Sequence, residues 1–172
     1  MNKKVLLIIS SNGFQPHEYG TPKKILEEGG VEVLTASDKK GTAIAAYTGL
    51  EVEVNLSLGE VKVEDYNGIF IIGGPGALDC LDHENTYQVM RAAVEQDKLW
   101  GAICISPRIL AHAGLLNEKR ATGWNGDGGL EGIFKQAGAM YVDEKVVVDK
   151  NLITGNGPEA VEEFGNKILG KI

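Results

Sequence analysis

The sequence predicts an α/β protein whose mostly parallel sheet is doubly wound. Short apolar runs of strand length alternate along the chain with segments whose apolar residues recur at helical spacing, and this alternation is typical of parallel sheets. The 172 residues are 43% hydrophobic and 24% charged. That is enough for one substantial core and leaves no room for a second large domain. We therefore expect a single domain over residues 1–172.

The strands and helices can be assigned in chain order. Apolar runs predict strands at residues 5–9, 31–36, 69–72, 99–103, 140–142, 146–148 and 152–154. Helical spacing predicts helices at residues 22–28, 86–94, 108–113, 130–136 and 158–168. The first and last of these begin with proline, which suits the first helical turn. Residues 43–54 alternate between polar and apolar side chains and predict a hairpin that forms an arm on the sheet edge.

A cysteine occupies the corner between the strand at 99–103 and the next helix. Ser106 favours a helix N-cap and Pro107 the first helical position, which places Cys104 in the turn itself. Such a corner exposes a nucleophile at the carboxyl edge of a sheet and directs it at the first amides of the helix. We expect those amides to lower the pKa of the Cys104 thiol and the N–H of Ile105 to stabilise an oxyanion.

A second corner, Gly73-Gly74-Pro75-Gly76-Ala77, directly follows the strand at 69–72. It lacks the Lys-Ser/Thr ending of a P-loop and the spacing of a dinucleotide-binding fingerprint, so phosphate binding is poorly supported. Two interpretations stay open. Either the glycines form only a tight turn, or an amide of Gly73 or Gly74 is the second oxyanion donor, opposite Ile105.

Glu18 is the carboxylate expected beside the cysteine. Residues 11–19 follow the first strand and should form a loop at the same crevice, because the carboxyl ends of parallel strands meet at one edge. Glu18 could share a proton with Cys104 or act as a general acid or base, or it could simply favour the start of the helix at Pro22. His17 is adjacent and could reach the substrate or the thiolate, although a solvated loop histidine is the commoner case.

Charge and composition exclude several classes of partner. The net charge of −7 disfavours a nucleic-acid partner. No apolar run approaches membrane-spanning length and residues 1–9 are too short for a secretory signal, so we expect a cytoplasmic protein without a membrane partner.

Cys80 and Cys104 should be free thiols. His83 lies three residues after Cys80 and is a poor zinc signal on its own. No metal and no cofactor is expected.

Several segments together carry a resemblance to a known family. They are Glu18 four residues before Pro22, Ile71-Ile72-Gly73-Gly74, Ala102-Ile103-Cys104, the run from Ile109 to Leu116, Ala137-Gly138-Ala139 with Val142-Asp143, and Leu152-Ile153-Thr154. Over essentially its whole length the chain resembles the ThiJ/PfpI superfamily, which is class I glutamine amidotransferase-like and contains the parkinsonism-associated protein deglycase. The resemblance implies a flavodoxin-like sandwich with a nucleophile elbow, and a homodimer or higher homo-oligomer.

The resemblance also implies roles for individual residues. Cys104 would be the nucleophile, Glu18 the carboxylate hydrogen-bonded to it, and the amides around Gly74 and Ile105 the oxyanion donors. PfpI-type peptidases carry a histidine directly after the cysteine and a glutamate a few residues after the glycine pair. This chain has Ile105 and Leu78 at those positions. Because the peptidase triad cannot be assembled without them, proteolysis is the less favoured function.

The glyoxalase and deglycase branch often uses a histidine where this chain has Trp124. An indole N–H donates one hydrogen bond but cannot exchange protons, so Trp124 could be an apolar pocket wall while His17 supplies the acid–base group. The favoured hypothesis is a cofactor-free, cysteine-dependent enzyme that acts on small electrophiles, above all reactive carbonyls such as methylglyoxal. The alternatives are a redox sensor whose Cys104 oxidises to a sulfinate, and a chaperone-like dimer with a vestigial site.

Overall fold

The computed structural model describes residues 3–172, which contain twelve strands and six α-helices. The strands are β1 (Lys4–Ile8), β2 (Asn12–Phe14), β3 (Glu32–Ser37), β4 (Gly41–Ala45), β5 (Glu51–Val54), β6 (Leu56–Ser57), β7 (Gly68–Ile71), β8 (Leu99–Ile103), β9 (Arg120–Ala121), β10 (Met140–Tyr141), β11 (Val146–Asp149) and β12 (Leu152–Gly155). The helices are α1 (Pro16–Glu28), α2 (Ala77–Leu81), α3 (Glu84–Glu95), α4 (Pro107–His112), α5 (Leu130–Gln136) and α6 (Val161–Lys171). Within residues 3–172, no helix is long and apolar enough to cross a membrane.

Seven strands form the main sheet, in the order β11-β12-β8-β7-β1-β3-β6. All neighbours are parallel except β11, which pairs antiparallel with β12. From β1 the chain first adds strands on one side, through β3 to β6, and then on the other, through β7 and β8. The strand order therefore reverses between β1 and β7, and ligands of doubly wound sheets bind beyond the carboxyl ends of the strands at such a point.

Both faces of the main sheet are covered, as the near-continuous apolar strands require. One core lies between the sheet and the helices α3, α4 and α5, and the other lies between the sheet and the pair α1 and α6. Every residue of β7 and β8 is buried. The predicted doubly wound, mostly parallel architecture is confirmed.

Most predicted elements are confirmed closely. Six of the predicted strands lie in the main sheet within one residue of their predicted ends, and α5 has the predicted bounds. Two of the later elements need correction. The strand at 140–142 is β10, which pairs with β9 in a separate two-stranded sheet. The last helix begins as a 3₁₀ turn at Pro158–Ala160, and α6 follows from Val161.

The first helix begins six residues before the predicted start at Pro22. The side-chain oxygen of Gln15 accepts hydrogen bonds from the backbone N–H groups of His17 and Glu18, and Pro16 occupies the first turn. Pro22 lies inside the helix, where it removes one backbone donor without ending the helix. Glu18 therefore lies on the first turn of α1 and not in a loop, which fixes the direction of its side chain.

The hairpin predicted at 43–54 is present as β4 and β5, but it does not extend the main sheet. It pairs through β4 with β2 and forms a separate three-stranded sheet. The backbone N–H of Ile44 donates to Ser11 (2.9 Å) and that of Ala46 donates to Phe14 (2.8 Å). The turn of this hairpin is thereby fastened to the segment that leads from β1 into α1.

Candidate active site

Cys104 lies in the turn between β8 and α4 with a φ of 64°. A cysteine in the left-handed region costs about 1 kcal/mol or more, and neighbouring segments must hold it there. Its N–H donates to the carbonyl of Gly155 (2.9 Å), and its carbonyl accepts from the N–H of Trp124 (2.6 Å). The half-buried thiol is thus presented on a strained strand-to-helix elbow.

Ser106 does not cap α4 as predicted. It has helical dihedral angles, and its side chain makes no capping hydrogen bond. Its hydroxyl donates instead to the carbonyl of Ile72 (2.8 Å), just beyond β7. Ser106 therefore joins the elbow to the neighbouring strand, while Pro107 occupies the first helical turn as expected.

Glu18 reaches Cys104 from the first turn of α1. Its side chain is fully buried, and its carboxyl lies close enough to the Cys104 thiol for the two groups to interact. Oε2 also accepts from the backbone N–H of Gly73 (3.1 Å), 55 positions away in the chain. Among residues 3–172, no nitrogen or oxygen donor pairs with Oε1. The carboxyl is therefore held by one fixed amide and is otherwise available for proton exchange with the thiol.

Close packing at this corner requires glycine at positions 73 and 74. A Cβ on Gly73 would lie 2.5 Å from Cys104 Cβ and 2.5 Å from Glu18 Oε2. Gly74 has a φ of 126°, and a Cβ there would lie 2.5 Å from the nitrogen of Gln15. Only glycine permits Glu18 and Cys104 to approach this corner together.

The amides at the corner have different partners. The N–H of Gly73 is occupied by Glu18, so the expectation that Gly73 serves as an oxyanion donor is wrong. The N–H groups of Gly74 and Ile105 are within hydrogen-bonding reach of the Cys104 sulfur. A negative charge that develops at or beside this sulfur would meet two donors from two different elements.

Burial dominates the electrostatics of the pair. It raises the pKa of Glu18 to about 7, against the lowering effect of the hydrogen bonds from Cys104 and Gly73. Burial, followed by the charge of Glu18 and the hydrogen bond to it, also raises the pKa of the Cys104 thiol. The amides of Ile105 and Gly74 lower it by less. The predicted lowering of the thiol pKa is therefore wrong, because burial and a neighbouring carboxylate outweigh two amides.

The two groups titrate as one pair. The pair loses its first proton near pH 7 and keeps the second to strongly alkaline pH. Above neutrality Glu18 and Cys104 therefore hold one proton and one negative charge between them. Such a pair can form a thiolate by transferring the proton to Glu18, without releasing it to solvent.

The thiol opens into a cavity of about 380 Å³. Its lining consists of Gln15, Glu18, Tyr47, Gly74, Pro75, Cys104, Ile105, Trp124 and Pro158. Trp124 is thus a wall of this cavity, in keeping with the apolar interpretation. His17 is not part of the lining. It lies in a separate groove of about 550 Å³ between α1 and α6, where its Nδ1 pairs with the Thr21 hydroxyl (3.1 Å).

A buried arginine fixes the position of Trp124. The Arg108 guanidinium makes two hydrogen bonds with the Asp127 carboxylate (2.6 and 3.0 Å) and lies over the Trp124 ring, 5.6 Å from its centroid. It also donates to the Trp124 carbonyl (3.4 Å). The hydrogen bonds from Arg108 hold the pKa of Asp127 at about 2. Sequence reasoning missed this clamp, because nothing local to Arg108 indicates which side chains it will contact.

Fold and site together define an α/β protein with a cysteine on the strand-to-helix elbow at the carboxyl edge of a flavodoxin-like sheet. The family model for the DJ-1/PfpI family matches residues 3–171. The solved ThiJ/PfpI domain protein of Brachyspira murdochii is 27% identical, with a TM-score of 0.92 over 99% of this chain and 96% of that one. Drosophila melanogaster DJ-1beta is 25% identical, with a TM-score of 0.85 over 99% and 90%. The chain belongs to the DJ-1/PfpI family.

Two curated relatives extend the comparison across bacteria and archaea. A protein of Methanocaldococcus jannaschii is 34% identical over 99% of this chain and 83% of its own length. A protein of Bacillus subtilis named "Putative cysteine protease YraA" is 30% identical over 98% of both chains. Each match extends over nearly the whole of this chain.

The shared proton predicts how the reactivity of Cys104 depends on pH. With Cys80→Ser as background, the alkylation rate by iodoacetamide should rise with a midpoint near pH 7, because the pair loses its first proton there. Glu18→Gln should abolish this rise and leave only an increase at more alkaline pH, where the buried thiol ionises alone. Glu95→Gln, on the exposed surface of α3, is the matched control. An unchanged midpoint in Glu18→Gln would contradict the shared proton.

Proposed function

We propose that this protein is a cofactor-free, cysteine-dependent enzyme that acts on small carbonyl electrophiles, with α-oxoaldehydes such as methylglyoxal as the leading class. The observation that carries the proposal is the placement of the buried Glu18 carboxyl beside the Cys104 thiol in one cavity. A thiol with its own general base can add to a carbonyl without a histidine. The pKa of Glu18, about 7, is suited to taking and returning a proton at neutral pH.

The first step would be addition of sulfur to the aldehyde. Glu18 takes the thiol proton, the sulfur lone pair forms a bond to the aldehyde carbon, and the carbonyl π electrons move to oxygen. The N–H groups of Gly74 and Ile105 are suited to stabilise this oxyanion, because they lie beside the sulfur. Return of the proton from Glu18 to oxygen gives a hemithioacetal.

The second step would be an internal redox change that needs no external oxidant. Glu18 removes the hydrogen of the former aldehyde carbon as a proton, and the electron pair left behind forms a double bond to the adjacent carbonyl carbon, whose oxygen takes the hydroxyl proton of the former aldehyde. Glu18 then returns its proton to that adjacent carbon, so the first carbon is oxidised and the second reduced. The resulting thioester is hydrolysed by water, which releases a 2-hydroxy acid and restores the Cys104 thiol.

Proteolysis is not the function we propose, although the Bacillus subtilis relative carries a protease name. The position after Cys104 is Ile105, and the cavity lining within residues 3–172 contains no histidine. A peptidase must protonate a poor amine leaving group, and imidazole is the usual donor. Glu18 is the proton-transfer group that this cavity provides, and carbonyl addition needs no amine to be expelled.

Replacement of the nucleophile tests this proposal. Cys104→Ser should lower the consumption of methylglyoxal, measured without added cofactor, by about a thousandfold or more, because a serine hydroxyl is far less nucleophilic than a thiolate. Cys80→Ser is the matched control and should retain turnover, since Cys80 does not line the cavity. Equal loss in both variants would contradict the assignment of Cys104. Absence of turnover in the folded wild-type protein would overturn the carbonyl proposal.

A redox-sensing role is the second candidate, and the raised pKa of Glu18 favours it. A protonated Glu18 can donate to an oxygen of an oxidised sulfur, while the N–H groups of Gly74 and Ile105 face the same atom. The thiolate would attack peroxide, break its O–O bond and form a sulfenate, and a second peroxide would give the sulfinate.

Mass spectrometry after peroxide treatment tests this second candidate. Cys104 should gain two oxygen atoms and then resist a third. Glu18→Gln should oxidise more slowly, because it lacks the base that forms the thiolate, but it should still accumulate sulfinate, because a glutamine amide donates a hydrogen bond. Its methylglyoxal turnover should be lost. A Cys104 that stays reduced, or that passes directly to the sulfonate, would contradict the sensor role.

A further inference from the structure

Tyr47 is placed unusually for an aromatic residue. It lies in the turn between β4 and β5, its side chain is 84% exposed, and its φ is 65°. The left-handed conformation costs a residue with a bulky side chain about 1 kcal/mol or more, and asparagine or glycine would relieve that strain. Tyr47 nevertheless lines the cavity at Cys104. A strained and exposed aromatic residue beside a nucleophile points to a role in binding.

The turn that carries Tyr47 is held in a fixed relation to the catalytic pair. The N–H of Ala46 donates to the carbonyl of Phe14 (2.8 Å), and that of Ala45 donates to Leu50 across the turn (2.8 Å). Phe14 directly precedes Gln15, whose side chain caps α1 at Glu18. The backbone next to Tyr47 is therefore anchored two residues before the start of the helix that carries Glu18.

Trp124 provides a second aromatic wall whose position is fixed by Arg108 and Asp127. Further apolar contact in the lining comes from Pro75, Ile105 and Pro158. Flat and aliphatic surfaces thus form much of the cavity wall. Flat apolar groups gain most from such walls.

The cavity offers no positive side chain to an anionic substrate. No lysine, arginine or histidine of residues 3–172 lines it, and the buried Arg108 nearby is already paired with Asp127. Above neutral pH the Cys104–Glu18 pair contributes one negative charge. A carboxylate brought within several ångströms of that charge is repelled by about 2 kcal/mol at an effective dielectric constant near 20.

We propose that Tyr47 and Trp124 are specificity-determining residues through which the Cys104 cavity favours uncharged electrophiles with an apolar substituent, above all a flat one. The negative charge of the Cys104–Glu18 pair, which no positive side chain of the lining offsets, disfavours electrophiles that bear a carboxylate. For carbonyl substrates this inference rests on the proposed function. The same preference should apply to any electrophile that reacts with the Cys104 thiol. It can therefore be measured from alkylation rates, without catalytic turnover.

Alkylation of Cys104 by three matched reagents tests the inference in the Cys80→Ser background. In each reaction the sulfur bonds to the methylene carbon and iodide leaves. The reagents are iodoacetamide, iodoacetate and N-phenyliodoacetamide, and each rate is divided by the rate with N-acetylcysteine at the same pH. At pH 8 we expect iodoacetate to be at least about tenfold slower than iodoacetamide. We expect N-phenyliodoacetamide to be about two- to tenfold faster.

Variants of the turn identify the residue responsible. Tyr47→Asn suits the left-handed backbone and should remove most of the preference for the phenyl reagent, whereas Tyr47→Phe should keep it. Leu50→Ala is the matched control, since Leu50 is an exposed apolar residue of the same turn that does not line the cavity. Equal normalised rates for iodoacetate and iodoacetamide, or an unchanged phenyl preference in Tyr47→Asn, would overturn the inference.

A turnover measurement separates failure of this inference from failure of the proposed function. Methylglyoxal should be consumed with a kcat/KM at least about tenfold above that for 4,5-dioxopentanoate, an α-oxoaldehyde that has the same reacting carbons and also carries a carboxylate. Alkylation preferences without methylglyoxal turnover would reject the proposed function and retain the selectivity. Turnover of both aldehydes at similar kcat/KM would reject the selectivity alone.

Discussion

Burial of the Glu18 carboxyl against the Cys104 thiol is the constraint on which the rest of the site depends. Burial in a poorly solvated space raises the pKa of Glu18 to about 7, although the hydrogen bonds from Cys104 and Gly73 act in the opposite direction. A shift from the ordinary 4.5 corresponds to roughly 3 kcal/mol. Because the unfolded chain ionises this carboxyl at lower pH, its burial makes the fold less stable as pH rises from about 4.5 to 7. Such a cost is typical of sites whose residues exchange protons.

The fold brings this pair together from three places in the chain. The elbow after β8 holds Cys104 at positive φ, and the capped start of α1 directs Glu18 inward. The corner after β7 supplies the Gly73 amide to Glu18 and the Gly74 amide to the sulfur. All three follow strands that meet where the strand order of the main sheet reverses. The doubly wound topology thus places the site, and glycine at position 73 allows its parts to approach.

Features that depend on local sequence pattern were predicted correctly, whereas features that depend on contacts between distant segments were not. The apolar strand at 99–103 followed by Pro107 located the elbow, and helical spacing located α5. The sequence pattern suggested a helix start at Pro22. The true start was missed because glutamine is not a common N-cap, so nothing in the sequence marked Gln15 as the cap of α1. The donor role of Gly73 depends on a side chain 55 residues away. The burial that raises the thiol pKa and the position of Tyr47 beside the cavity also depend on tertiary packing, which local sequence does not reveal.

A carbon-13 NMR titration of the Glu18 carboxyl carbon, assigned by comparison with Glu18→Gln, tests the central claim most directly. The shared-proton account predicts a midpoint near pH 7 in the wild-type protein. In Cys104→Ser the midpoint should stay above the ordinary value for glutamate, because burial is the largest cause of the shift. A Glu18 carboxyl that titrates near pH 4.5, as a solvated glutamate does, would show that the carboxylate is ionised throughout the neutral range and would contradict the account.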